Sequence, residues 1–158
     1  IRRRLGPDYP ILLKINSQDF VEESITPIEC LQVCKVLDSR GIDAIEISAG
    51  LGASGDLGPK RKNIHKPEQE AYFKDNAALI AENIKAPVIL VGGIRSIDVI
   101  NILLTETKIQ YFSLARPFFR EPDLVKRWID GDTKKAKCIS CNQCYNQTGN
   151  SCIFLREK

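Results

Sequence analysis

Four cysteines, Cys138, Cys141, Cys144 and Cys152, stand in the run KCISCNQCYNQTGNSC. The spacing C-x2-C-x2-C-x7-C brings four soft thiolate ligands within reach of one small centre. Three cysteines at x2 intervals let a single loop wrap three corners of a cubane, as in the bacterial ferredoxin run. Zinc sites more often use two separated C-x2-C pairs or mixtures with histidine. The only histidine, His65, is far from this quartet in sequence. The pattern therefore favours an iron–sulfur cluster. A zinc staple is the second reading, and thiols that merely share a loop with Asn142, Gln143 and their neighbours are the third.

A second kind of chemistry is suggested where apolar runs end. Gly92-Gly93 follows VILV directly and opens onto Ile94-Arg95-Ser96. Glycines at such a turn let backbone N–H groups approach an anion, and a helix start favours negative charge. The plainer reading is a turn that only needs positive φ. Arg116 follows the next apolar run at the same level, where a guanidinium could fork onto phosphate oxygens. Its alternative is an ion pair with Glu121 or Asp123. Lys14 interrupts ILLKIN between apolar neighbours, and a buried ammonium needs a partner. Strand parity puts Lys14 on one face with Leu12 and Asn16, opposite Glu46 of DAIEIS, so a Lys14–Glu46 pair competes with contact to an electron-rich cofactor. Cys30 and Cys34 have helical i, i+4 spacing and read as small core residues. His65 reads as a loop residue in solvent.

These residues need elements to position them. ILLKIN, DAIEIS, VILV and YFSLA read as four strands. Thr26-Pro27-Ile28-Glu29 spells a helix start, with Thr26 as N-cap and Glu29 closing a capping box, and Gly41 ends that helix. Further helices are expected over 67–84, from a Ser96 cap to about Glu106, and near 123–130. Strict strand–helix alternation means an α/β fold with a parallel sheet. A run such as VILV fits a sheet covered on both faces. Either a small doubly wound sheet or half of an eight-unit barrel satisfies this order.

The chain has 158 residues, 43% hydrophobic and 27% charged, with a net charge of +3. This is the composition of one globular domain. Arg2-Arg3-Arg4 most simply belongs to a helix end, and no aromatic platform accompanies it, so a nucleic-acid partner is not expected. No run is long enough for a membrane span. Cysteines crowded at one end suggest a reducing cytoplasm. Methionine is absent, so the chain is expected to be a piece of a longer polypeptide, the second half of a barrel.

The order ILLKIN, DAIEISAG, PVILVGGI, SLARPFFREPDL and CISCNQC resembles the C-terminal half of the old yellow enzyme family. More narrowly, it is similar to the iron–sulfur branch of NADH:flavin oxidoreductases, related to 2,4-dienoyl-CoA reductase and trimethylamine dehydrogenase. The resemblance implies strands five to eight of a TIM (β/α)8 barrel over residues 1–132, followed by a cysteine-rich tail over 133–158. It implies FMN at the strand ends, with Lys14 beside the flavin pyrimidine edge and Gly92, Gly93, Ala115 and Arg116 at its phosphate. Cys138, Cys141, Cys144 and Cys152 would hold a [4Fe–4S] cluster, although relatives with further domains use wider cysteine spacing. NAD(P)H would be the electron donor and an electron-poor alkene or another small acceptor the substrate. The proton donor and substrate-binding pair of the family lie in the first half of the barrel, outside this chain, so the chain alone is expected to be inactive. The alternative is a zinc-stapled half-barrel with a role in assembly, and a homo-oligomer fits either. A phosphate-sugar isomerase-type half explains Gly93 and Arg116 but not the cysteines.

Overall fold

The computed structural model describes residues 1–145 and 149–156. Four strands, β1 (Leu12–Asn16), β2 (Ala44–Ser48), β3 (Val88–Val91) and β4 (Tyr111–Ser113), form one parallel sheet in the order β1-β2-β3-β4. The helices are α1 (Arg2–Leu5), α2 (Pro27–Ser39), α3 (Lys74–Ala81), α4 (Ile97–Glu106), α5 (Arg116–Arg120) and α6 (Leu124–Ile129). Sequential strands lie side by side, as parallel strands joined by helical crossovers do.

One sheet face makes the core. Ile45, Ile47, Val88 and Leu90 pack against Cys30, Leu31 and Cys34 of α2, Ala77 and Ile80 of α3, and Leu103 of α4. Cys30 and Cys34 are fully buried with sulfurs 3.9 Å apart, as expected of core cysteines. The opposite face differs from the expected double covering. It carries Lys14, Glu46 and Ser113 beside the half-buried Ile89 and Val91, and Leu12 and Tyr111 on it are exposed. Period-two patterning in β1, β2 and β4 reflects that difference.

The start of α2 forms as its sequence spells it. Thr26 Oγ1 accepts from Glu29 N at 3.3 Å, and the Glu29 carboxylate accepts from Thr26 N at 2.9 Å. The helix expected over 67–84 instead breaks into a single turn at Pro67–Gln69 and α3. Ala71 between them has φ 50°, which no right-handed helix accommodates, and Tyr72 N donates to Gly92 O rather than up its own helix. The break turns Glu70 inward, where it is 3% exposed.

After α6, the chain returns across the sheet end. Ala136 packs with Leu124 and Trp128, and its N–H donates to Arg95 O at 2.8 Å. This strap delivers the cysteine loop to the C-terminal ends of β3 and β4.

Candidate functional site

Parallel strands point all their C-terminal ends to one side, so the turns after β3 and β4 meet there. Gly92 and Gly93 leave β3 with φ 140° and 74°, conformations that glycine adopts readily. Close packing demands glycine as well. A Cβ on Gly93 would lie 2.5 Å from the Tyr72 ring, and one on Gly92 would lie 3.0 Å from it. Tyr72 is fixed in turn by donating its hydroxyl to Pro59 O at 2.8 Å, with the Arg61 guanidinium 4.5 Å from its ring centroid.

The start of α4 is not capped as the sequence suggests. Ser96 makes no side-chain cap. Glu70 takes that role across 26 positions: its carboxylate accepts from Arg95 N at 2.6 Å, Ser96 N at 2.9 Å and Ser96 Oγ at 2.7 Å. The anion that the helix start favours is therefore the protein's own carboxylate. Space for an external anion lies one turn earlier. A cleft of about 80 Å³ is lined by Lys60, Gly92, Gly93, Arg95, Ala115 and Arg116. Three cations and the open backbone of two glycines suit a phosphate group.

Arg116, 6% exposed, begins α5 and donates to Arg61 O at 2.8 Å and to the Asn142 side-chain oxygen. The alternative ion pair with Glu121 or Asp123 is not found among the described residues; Glu121 is held by Arg127 at 3.1 Å and Lys137 at 3.6 Å. Ala115, the N-cap of α5, is exposed at the mouth of the cleft. Arg95 is more deeply buried still, at 2% exposure. Burial pulls its guanidinium below the usual arginine value, as does Arg116, whereas Cys138, Tyr72 and Glu70 pull the other way.

The cysteine loop lies against this cleft. Asn142 joins it to Arg116, and Ser140 accepts from the Arg95 Nη2 at 2.9 Å. Ser140 and Asn142 both have φ near 60°, at 58° and 61°, which folds the C-x2-C-x2-C run into a compact turn. Cys144 and Cys152 are buried and Cys138 and Cys141 half-exposed. Burial raises the Cys144 thiol, and Cys138, Cys141 and Cys152 reinforce the shift. Among the described residues no three His, Cys, Asp or Glu side chains already stand at metal-holding separations. The donor set, four thiols of one C-x2-C-x2-C-x7-C run, nevertheless has the chemistry that a cluster or zinc takes. Asn146 and Gln147, part of the same loop, lie outside the described residues.

Lys14 is apart from the cleft, on the open face of the sheet. Its side chain is 56% exposed rather than buried, and it pairs with Glu46 of the adjoining strand. Glu46 also accepts from Ser113 Oγ at 2.9 Å, so one network crosses from β1 to β4. His65 is exposed, and Lys135 Nζ donates to its backbone oxygen at 2.6 Å.

Sequence reasoning missed Glu70, Tyr72 and Arg95 as site residues. Arg95, directly after Gly-Gly-Ile, was open to detection as a third basic group at a strand end. Glu70 and Tyr72 carry no local signal, since their partners are distant in the chain.

Comparison with known proteins is consistent with this geometry. A family model described as the NADH:flavin oxidoreductase / NADH oxidase family matches residues 1–134. The chain is 28% identical over 144 residues to a metal reductase of Desulforamulus reducens, covering 90% of this chain and 21% of that protein. It is 29% identical over 147 residues to an NADH oxidase of Thermoanaerobacter brockii, again covering 90% and 21%. Among solved structures, 2-naphthoyl-CoA reductase in complex with 2-naphthoyl-CoA superposes with a TM-score of 0.75 at 26% identity, over 91% of this chain and 22% of that one. The chain thus spans about a fifth of the length of these relatives.

Proposed function

We propose, from the premise that this chain belongs to the NADH:flavin oxidoreductase / NADH oxidase family, that it forms the flavin-phosphate and cluster-bearing portion of an NAD(P)H-dependent, FMN-containing oxidoreductase. The observation that carries this reading is the basic cleft between Gly93 and Arg116, buttressed directly by the cysteine loop through Asn142 and Ser140. In this reading the four strands are strands five to eight of a TIM barrel. A four-stranded sheet does not close a barrel, and its outer strands here pair on one side only.

Gly92, Gly93, Ala115 and Arg116 would hold the FMN phosphate, with Lys60 and Arg95 adding positive charge. Lys14, oriented by Glu46, would donate to the pyrimidine edge and favour an electron-rich ring. Flavin, when bound, supplies exchange of a hydride or of single electrons between a nicotinamide and an acceptor. Cys138, Cys141, Cys144 and Cys152 would hold a [4Fe–4S] cluster close to that phosphate. The substrate is a small electron-poor acceptor such as an activated alkene. The similar solved 2-naphthoyl-CoA reductase is in complex with 2-naphthoyl-CoA, an acyl thioester whose carbonyl is conjugated to its ring. None of the site residues described is placed to protonate such a substrate, so turnover requires groups from the other half of a barrel.

Fluorescence titration tests the phosphate cleft. FMN should bind more tightly than riboflavin by roughly tenfold or more, about 1.4 kcal/mol, and Arg116→Gln should remove most of that preference. The chain alone should oxidise NADH at no more than the background rate. Equal affinity for the two flavins contradicts the phosphate assignment, and rapid turnover by the chain alone contradicts its half-barrel character.

A further inference from the structure

Arg95 is the most deeply buried charge at this end of the molecule, and its partners do not account for it. Its Nη1 donates to Ile94 O at 2.6 Å and its Nη2 to Ser140 Oγ at 2.9 Å. Its Nε is buried with no partner. The nearby Glu70 carboxylate is already engaged by Arg95 N, Ser96 N and Ser96 Oγ, and among the described residues no carboxylate forms an ion pair with the guanidinium. A buried cation without a counter-ion is unfavourable unless an anion comes to it. The backbone is secured equally firmly, because Ala136 N donates to Arg95 O at 2.8 Å. The residue is thus stapled to the strap on one side and to the cysteine loop on the other.

Two anionic groups are available in the proposed function. The phosphate cleft, which Arg95 also lines, has Arg116 and Lys60 besides. Two buried guanidiniums reach the cysteine loop, Arg95 between Cys138 and Cys141 and Arg116 between Cys141 and Cys144, and Arg95 is the more deeply buried of the two. We propose that Arg95 is the resident counter-ion of the cysteine-held centre, a positioning residue that sets its reduction potential. This rests on the iron–sulfur reading above. A cluster held by four thiolates is anionic, and reduction adds one electron and one further negative charge. A fixed cation buried beside it stabilises the reduced form more than the oxidised form, and cluster potentials respond to local charge, hydrogen bonding and exposure. The guanidinium also restrains Ser140, inside the ligand run, so charge and loop geometry are delivered by one side chain.

The test is an EPR-monitored redox titration of the anaerobically purified full chain, with iron and acid-labile sulfide measured on each sample. Arg95→Gln should keep the cluster and shift its reduction equilibrium toward the oxidised form by roughly tenfold, which is 59 mV for a one-electron couple. Arg95→Lys, which keeps the charge, should shift it far less, and Ser140→Ala should leave the potential close to that of the unaltered chain. Loss of the cluster from Arg95→Gln with retention in Arg95→Lys would also support the proposal, because charge would then be what the centre requires. An unchanged potential in a fully loaded Arg95→Gln protein overturns it, and so does cluster loss in both Arg95 variants. Zinc without iron or sulfide in the unaltered chain would overturn the iron–sulfur reading itself, and this proposal with it, before any variant is compared.

Discussion

Single residues at the strand ends do two jobs, and Gly93 separates them clearly. It frees backbone toward an anion and leaves room for Tyr72, whose ring a Cβ would meet at 2.5 Å. Gly93→Ala should therefore destabilise the fold by about 2 kcal/mol from positive φ alone, plus the clash. Tyr72→Ala in the same chain should return part of the loss. Urea unfolding of both single variants and the double variant measures that coupling; purely additive effects would contradict the close approach. Glu70→Gln should cost about 3 kcal/mol by the same assay, because the carboxylate accepts three hydrogen bonds in a buried position. A loss no larger than that of an exposed carboxamide substitution would contradict its role as the cap of α4. The places of Gly93 and Arg116 beyond β3 and β4 were legible from the apolar runs before them, whereas the cysteines were read from their spacing alone. Arg95 reaches Ser140 across 45 positions and Glu70 reaches Ser96 across 26. No local pattern encodes either contact, so neither could be read from the chain alone.

At the scale of elements, the local rules succeed where the backbone satisfies itself locally. The α2 start is an example: Thr26, Pro27 and Glu29 specify it within four positions, and tertiary packing adds nothing contrary. Thr26→Ala should cost about 1 kcal/mol in thermal or urea unfolding. The Glu29 carboxyl lies below its ordinary value because Thr26 N–H donates to it first and Thr26 Oγ1 second. A depressed folded value means its contribution is complete above the unfolded value, about pH 4.3, and is lost as pH falls through the lower folded value. The stability gap between the unaltered chain and Glu29→Gln should thus be present at about pH 6 and vanish by about pH 2. A gap that widens on acidification would contradict this assignment. The stretch 67–84 failed as a single helix for the opposite reason. Burying Glu70 against α4 and seating Tyr72 on Gly92 outweigh helical propensity, and Ala71 takes φ 50° to permit both. Ser96 was misread as a side-chain cap because the true cap comes from that same break.

For the whole molecule, the four-stranded parallel sheet was legible from strand–helix alternation, while the unequal faces were not. Apolar β3 suggested cover on both sides, yet the face bearing Lys14 and Glu46 leaves Leu12 and Tyr111 exposed, and among the described residues β1 and β4 each pair on one side only. Open edges and a half-covered face favour pairing between copies. Size-exclusion chromatography should show association that grows with concentration; a monomer throughout would contradict that expectation. The proposed arrangement joins a phosphate cleft to a redox centre held by Cys138, Cys141, Cys144 and Cys152. Its most direct test is metal and sulfide analysis of the anaerobically purified chain. About four iron and four acid-labile sulfide per chain are expected, lost together in Cys141→Ser; zinc in place of both would contradict a [4Fe–4S] centre.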